Sequence, residues 1–108
     1  MPYATLAQIK EWLPGLTGAG FDTELTNIQA DVNRDIDRKL TLVTSLPITD
    51  ATIKNELAKY EARISALTFQ LRRAGAQERT QIQETIDKQW VSFQELVANR
   101  FGFSVVVG

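Results

Sequence analysis

The sequence has no cysteine and no histidine. Without thiols there is no disulfide framework. Without thiolate or imidazole, the common ligands of a zinc or copper site are missing. The usual general base of neutral-pH chemistry is missing too. Uninterrupted apolar runs are only a few residues long, so no segment is expected to span a membrane. The first residues show no basic stretch followed by an apolar one, so no secretory signal is expected. The net charge is −1, which gives no overall positive field toward nucleic acid or an anionic membrane. No phosphate loop, nucleophile elbow or HExxH pattern is present. The expectation is therefore a protein that is not an enzyme, with no catalytic, cofactor-binding or metal-ligating residues and no cofactor.

What is present fits one domain. The chain has 108 residues, 44% of them apolar and 23% charged, enough for a single hydrophobic core. Residues 1–53 carry four basic and seven acidic side chains, and the remainder eight and six. That asymmetry is too mild to name a partner.

The pattern predicts four helices and a terminal strand-like tail. Thr5 and Gln8 stand at capping-box spacing. A first helix is expected over 6–13, with the apolar stripe Leu6, Ile9, Trp12 and Leu13, stopped by Pro14-Gly15. Asp22 is the expected N-cap of a second helix, with Glu24 in its first turn. Leu25, Ile28, Val32, Ile36, Leu40 and Val43 give that helix one apolar face. Its polar face carries Asp31, Arg34, Asp35, Asp37, Arg38 and Lys39. Arg34 with Asp37, and Asp35 with Lys39, are spaced to pair. Pro47 breaks the next linker, and Thr49 or Asp50 caps a third helix. Ile53, Leu57, Tyr60, Ile64, Leu67 and Leu71 step by four and three, a heptad-like seam. Arg72 and Arg73 suit its last turn, and Gly75 its end. A fourth helix is expected over 77–100, striped by Ile82, Ile86, Trp90, Phe93 and Val97, with Glu84 and Lys88 as an i,i+4 pair. The expected architecture is all-α: a short, a medium and two long antiparallel helices over 1–100, then an extended tail over 101–108. The expected core includes Leu6, Ile9, Leu25, Ile28, Val32, Ile36, Leu57, Tyr60, Ile64, Ile86, Trp90 and Phe93.

Most features read as structure. Trp12, Trp90 and Phe93 occur at helical spacing and are assigned to the core rather than to a ligand pocket. Glu24, Asp31 and Asp35 lie among cations on a polar face, which is the pattern of a solvated surface rather than of an acid–base or metal pair. The stretch from Gly15 to Gly20 resembles a phosphate cradle in composition only, since it follows a helix and lacks the lysine.

The tail is the exception. Phe101, Phe103, Val105, Val106 and Val107 are apolar and β-prone. Such a segment either folds back on its own helices or adds to a neighbouring subunit or partner, where main-chain hydrogen bonds give affinity. Left exposed, it would be an aggregation hazard. Phe101, Phe103 and Val105–Val107 are accordingly the expected partner-binding residues. The charged face at Arg34, Asp35, Arg38 and Lys39 is the second-choice subunit contact. The two long helices, roughly 36 Å each at 1.5 Å per residue, also exceed what a first helix of about 12 Å and a medium helix can cover. Some of their surface is expected to meet another chain.

The opening Tyr3-Ala4-Thr5-Leu6-Ala7-Gln8-Ile9-Lys10-Glu11-Trp12-Leu13 resembles that of tailed-phage head–tail connector (adaptor, or head-completion) proteins. The likeness continues through Ile36-Asp37-Arg38-Lys39-Leu40, Pro47, Tyr60 and Leu71-Arg72-Arg73, so it covers residues 3–73. The third helix here carries more charge than the alanine-rich helix of that family, and the fourth helix and valine tail lie outside the likeness. The resemblance implies a structural virion protein at the head–tail interface, assembled in the host cytoplasm. It implies a homo-oligomeric ring of about twelve subunits beneath the portal protein. A downstream neck or tail protein would dock below it. DNA would pass through the lumen without specific binding, because tight phosphate affinity comes from lysine and arginine. Two other classes stay open. One is a chaperone-like cytoplasmic binding module, expected as a monomer or dimer. The other is a helix-turn-helix regulator, against which stand a connection of about eight residues and an acidic second helix.

Overall fold

The computed structural model describes residues 2–16 and 18–101. Four helices make up the fold: α1 (Leu6–Glu11), α2 (Asp22–Leu40), α3 (Ala51–Arg73) and α4 (Ala76–Phe101). No strand occurs among the described residues.

The predicted capping box forms. Thr5 Oγ1 accepts from the Gln8 amide at 3.2 Å, and Gln8 Oε1 accepts from the Thr5 amide at 2.8 Å. α1 is shorter than expected, ending at Glu11 with Trp12 as its C-cap. That early end separates the two residues that were to close its stripe. Leu13 turns inward and is buried, whereas Trp12 is 46% exposed. The placement of Trp12 in the core is therefore corrected. Its indole lies under the Arg63 guanidinium at 4.5 Å, a cation–π contact that a surface ring can make.

α2 begins at Asp22, but Phe21 holds the N-cap position and no side chain caps the helix. The Asp22 carboxylate instead meets Lys10 of α1 at 2.6 Å, and in the first turn it still complements the helix dipole. Gly18, with φ +78°, supplies the left-handed backbone in the connection that brings the two helices together. Phe21 turns onto Phe69 of α3, edge to face at 5.5 Å. The Arg73 guanidinium covers both rings and binds both Glu24 oxygens, at 2.8 and 2.7 Å. The closing arginine pair thus joins the end of α3 to the start of α2, which makes the two helices antiparallel.

Asp50 is the N-cap of α3, accepting from the Ile53 amide. α3 is the central element. Leu57, Ala58, Glu61, Ala62, Ile64, Ser65, Ala66, Leu67 and Phe69 are all buried, round most of the helix, while Lys59 and Arg63 mark its open face. α1 and α2 lie against it on one side and α4 on the other. The heptad-like seam is realised in the α3–α4 hairpin. Tyr60 pairs with Ser92 at 2.6 Å, and Arg100 reaches back to Glu56, so the two long helices run antiparallel. Phe93 and Val97 are fully buried and Ile86 nearly so. Tyr60 and Trp90 stack edge to face on Phe93 at 5.9 and 5.5 Å. Leu6, Tyr60 and Trp90 are partly buried against the core rather than within it. The other nine expected core residues are buried.

Phe101, expected to open the tail, is the last residue of α4 and packs against the core cluster. The helical unit therefore extends one residue beyond the expected boundary. Phe103, Val105, Val106 and Val107 lie outside the described residues.

Candidate functional site

The most organised polar site lies where the N-terminal arm crosses α2 and α3. Glu61 is 0% exposed. One of its oxygens accepts from the Tyr3 amide at 2.8 Å, the Ala4 amide at 2.6 Å and Gln29 Nε2 at 3.2 Å; the other accepts from Asn33 Nδ2 at 2.8 Å. Gln29 Nε2 also donates to the Ala4 carbonyl, and the Tyr3 hydroxyl donates to Asp37. Among the described residues no cation takes part. The donors are main-chain and amide groups, which satisfy a buried carboxylate without a salt bridge.

The local sequence explains the geometry. Gln29 and Asn33 are four apart, so they lie one turn from each other on α2, on the shoulder of the Ile28–Val32–Ile36 stripe. On α3, Ala58, Ala62 and Ser65 surround Glu61 with small side chains, letting the arm and α2 approach closely. Burial, and then the hydrogen bond to Asp37, push the Tyr3 hydroxyl above its ordinary pKa. This arrangement fixes the N-terminal arm against α2 and α3. Sequence reading missed it because it placed the buried face of α2 on apolar residues alone. The i,i+4 amide pair beside the stripe, facing a glutamate set among alanines, is the signal that marks it.

The charged face of α2 is placed as expected but pairs differently. Arg34 meets Asp31 at 2.9 Å and Arg38 meets Asp35 at 3.8 Å. Asp37 is drawn to Tyr3 and so cannot pair with Arg34. Lys39 lies over the Trp90 ring at 4.4 Å instead of beside Asp35. Of the four second-choice contact residues, Arg34, Asp35 and Arg38 form a surface strip and Lys39 covers the α4 indole. The expected Glu84–Lys88 pair does not form.

Among the clefts on the surface, two adjoin the N-terminal arm and Trp12. One of about 680 Å³ is bounded by the arm, the linker and the start of α3, with Pro2, Leu46, Pro47 and Ile48 as its apolar wall. The other, about 340 Å³, is a groove between α3 and α4 beside Trp12, with Lys59, Tyr60, Arg63 and Ser92 in its walls. Among the described residues no cluster of acidic side chains is arranged to hold a metal, and no helix is long and apolar enough to cross a membrane. No protein-family model, no curated protein and no solved structure matches the chain.

Proposed function

We propose that the chain is a head–tail connector subunit of a tailed phage. In this reading it forms a ring under the portal, extends the DNA channel and receives a neck or tail protein. One observation carries the reading. The segments that make up the resemblance are distant in sequence yet meet in space. The Tyr3 of the opening segment bonds to the Asp37 of Ile36-Asp37-Arg38-Lys39-Leu40, and the closing Arg73 clamps Glu24 of the second helix. They thus describe one packed unit rather than scattered similarities. The tail residues Phe103 and Val105–Val107 are the portal or neighbour anchor in this reading. The outer α2 face with Arg34, Asp35, Arg38 and Lys39 is a secondary surface.

The groove beside the exposed Trp12 favours a second reading, a helical binding module that takes a partner segment there. The two readings differ in mass. Light scattering on the purified chain, alone and mixed with a portal protein, should give a species of about ten or more subunits or co-migration with the portal. A monomer that ignores the portal would sink the connector reading and leave the binding module. Removal of residues 102–108 should keep the helical circular-dichroism spectrum and abolish assembly. Unchanged assembly would take the tail out of the contact.

A further inference from the structure

We propose that neighbouring copies of the chain meet head to tail, the outward ridge of α4 in one copy seated in the α3–α4 groove beside Trp12 in the next. This inference rests on the ring reading and names its contact.

The groove offers an aromatic wall and unbalanced positive charge. Trp12 is 46% exposed, with Arg63 stacked on it at 4.5 Å. The Tyr60–Ser92 hydrogen bond, at 2.6 Å, ties its two sides together. Glu56 is matched by Arg100. Lys59 and Arg63 form no ion pair with a described residue. Three cations (Lys59, Arg63 and Arg100) against one carboxylate (Glu56) leave a local charge of +2.

The ridge is the complement. Glu84, Lys88, Val91 and Glu95 follow steps of four, three and four, which draws one straight stripe along α4. It lies opposite the buried Ile86, Phe93 and Val97. Val91 is 54% exposed at its centre. Glu84 and Glu95 form no ion pair with a described residue, and the Asp87 carboxylate, one turn from Glu84, accepts among the described residues only from Gln83. Three carboxylates (Glu84, Asp87 and Glu95) against Lys88 leave −2. The charge of the ridge thus equals that of the groove with the sign reversed.

The spacings agree as well. Lys59 and Arg63 are one turn apart on α3, and Glu84 and Asp87 one turn apart on α4, so each pair spans about 5–6 Å. Val91, a turn beyond Asp87, is then the apolar knob for the Trp12 wall. The charged face of α2 has less to give, because its arginines are already matched by Asp31 and Asp35 within the helix.

The two surfaces point in different directions. Ser92 lines the groove and follows Val91 of the ridge directly, about 100° further round α4. A contact between different patches is heterologous, and such contacts repeat until a ring closes.

The test is charge reversal on the full chain, read by light scattering, with the portal present if the native ring needs it. Lys59, Glu84 and Glu95 are exposed and Arg63 is half-exposed over Trp12, and circular dichroism checks that each variant keeps its helices. The groove variant Lys59→Glu/Arg63→Glu should fall from ring to monomer. The ridge variant Glu84→Lys/Glu95→Lys should do the same. An equimolar mixture should assemble again, since each reversed surface then finds an opposite charge. A ring that persists in either variant, or a mixture that stays monomeric, overturns this contact while leaving the ring reading intact. A native chain that is monomeric both alone and with the portal overturns the ring reading, and this contact with it.

Discussion

The two sides of α3 are held by different physics. Toward α1, α2 and the N-terminal arm, a buried carboxylate gathers two main-chain amides and two side-chain amides, with apolar packing around them. Toward α4, the contact is a ladder of aromatic and aliphatic side chains, with polar pairs at its edges, at Tyr60–Ser92, Glu56–Arg100 and Arg79 with the Leu71 carbonyl. Hydrophobic packing is non-directional and tolerates small shifts in register. A carboxylate that must satisfy named donors does not, because a donor left unpaired in the interior is costly. The comparison teaches that the polar knot selects where the arm lies, while the apolar ladder supplies adhesion between the long helices.

That contrast can be broken or sharpened by substitution. Phe93 is fully buried between Tyr60 and Trp90, so Phe93→Ala should cost about 3–5 kcal/mol in urea unfolding. A loss below about 1 kcal/mol would mean that the ladder is not the main adhesive. Glu61→Gln places an amide N–H₂ against donors and should cost about 1–3 kcal/mol. Its distinguishing readout is hydrogen exchange. The Ala4 amide should lose protection in the Glu61 variant at native stability, whereas Phe93→Ala should change it only through the global loss. Equal behaviour of the two variants would erase the division of labour.

The smallest expected effect concerns pH. The neutral Tyr3 phenol is favoured in the fold, so its folded pKa lies above that of the unfolded chain. Its contribution is fully present below the unfolded value of about 10 and is lost as pH rises above that value, because only the unfolded state then releases the proton. The native chain should therefore lose stability more steeply than Tyr3→Phe as the solution is made more alkaline than that value. Parallel alkaline limbs in thermal melts would show that the arm's phenol is not linked to folding.

Much of the fold is legible in the sequence because local rules suffice for it. Period and caps place the four helices, and Thr5/Gln8 and Asp50 mark two of their starts. The miss at Trp12 comes from a helix end. One shortened turn decides whether residue 12 or residue 13 points inward, and Pro14 constrains the stop only to within a turn. The miss at Asp22 and Asp37 has another cause. Each has a partner from a different element, Lys10 and Tyr3, and that partner replaces the one local spacing suggested. Neither half of the α4 contact could be assigned by periodicity, which gives the ridge its spacing but not the groove it would face.

The sequence by itself determined the class: all-helical, without thiol or imidazole chemistry, with an apolar seam on each long helix. Those properties follow from composition and from periodicity along one element. Only the tertiary structure decided that α3 is enclosed on both sides, that Glu61 is buried, that Trp12 is exposed, and that Asp22, Glu24, Asp37 and Lys39 of α2 take partners from other segments. The reason is that burial, charge pairing and hydrogen-bond satisfaction are properties of groups brought together from different segments, and spacing within one segment does not contain them.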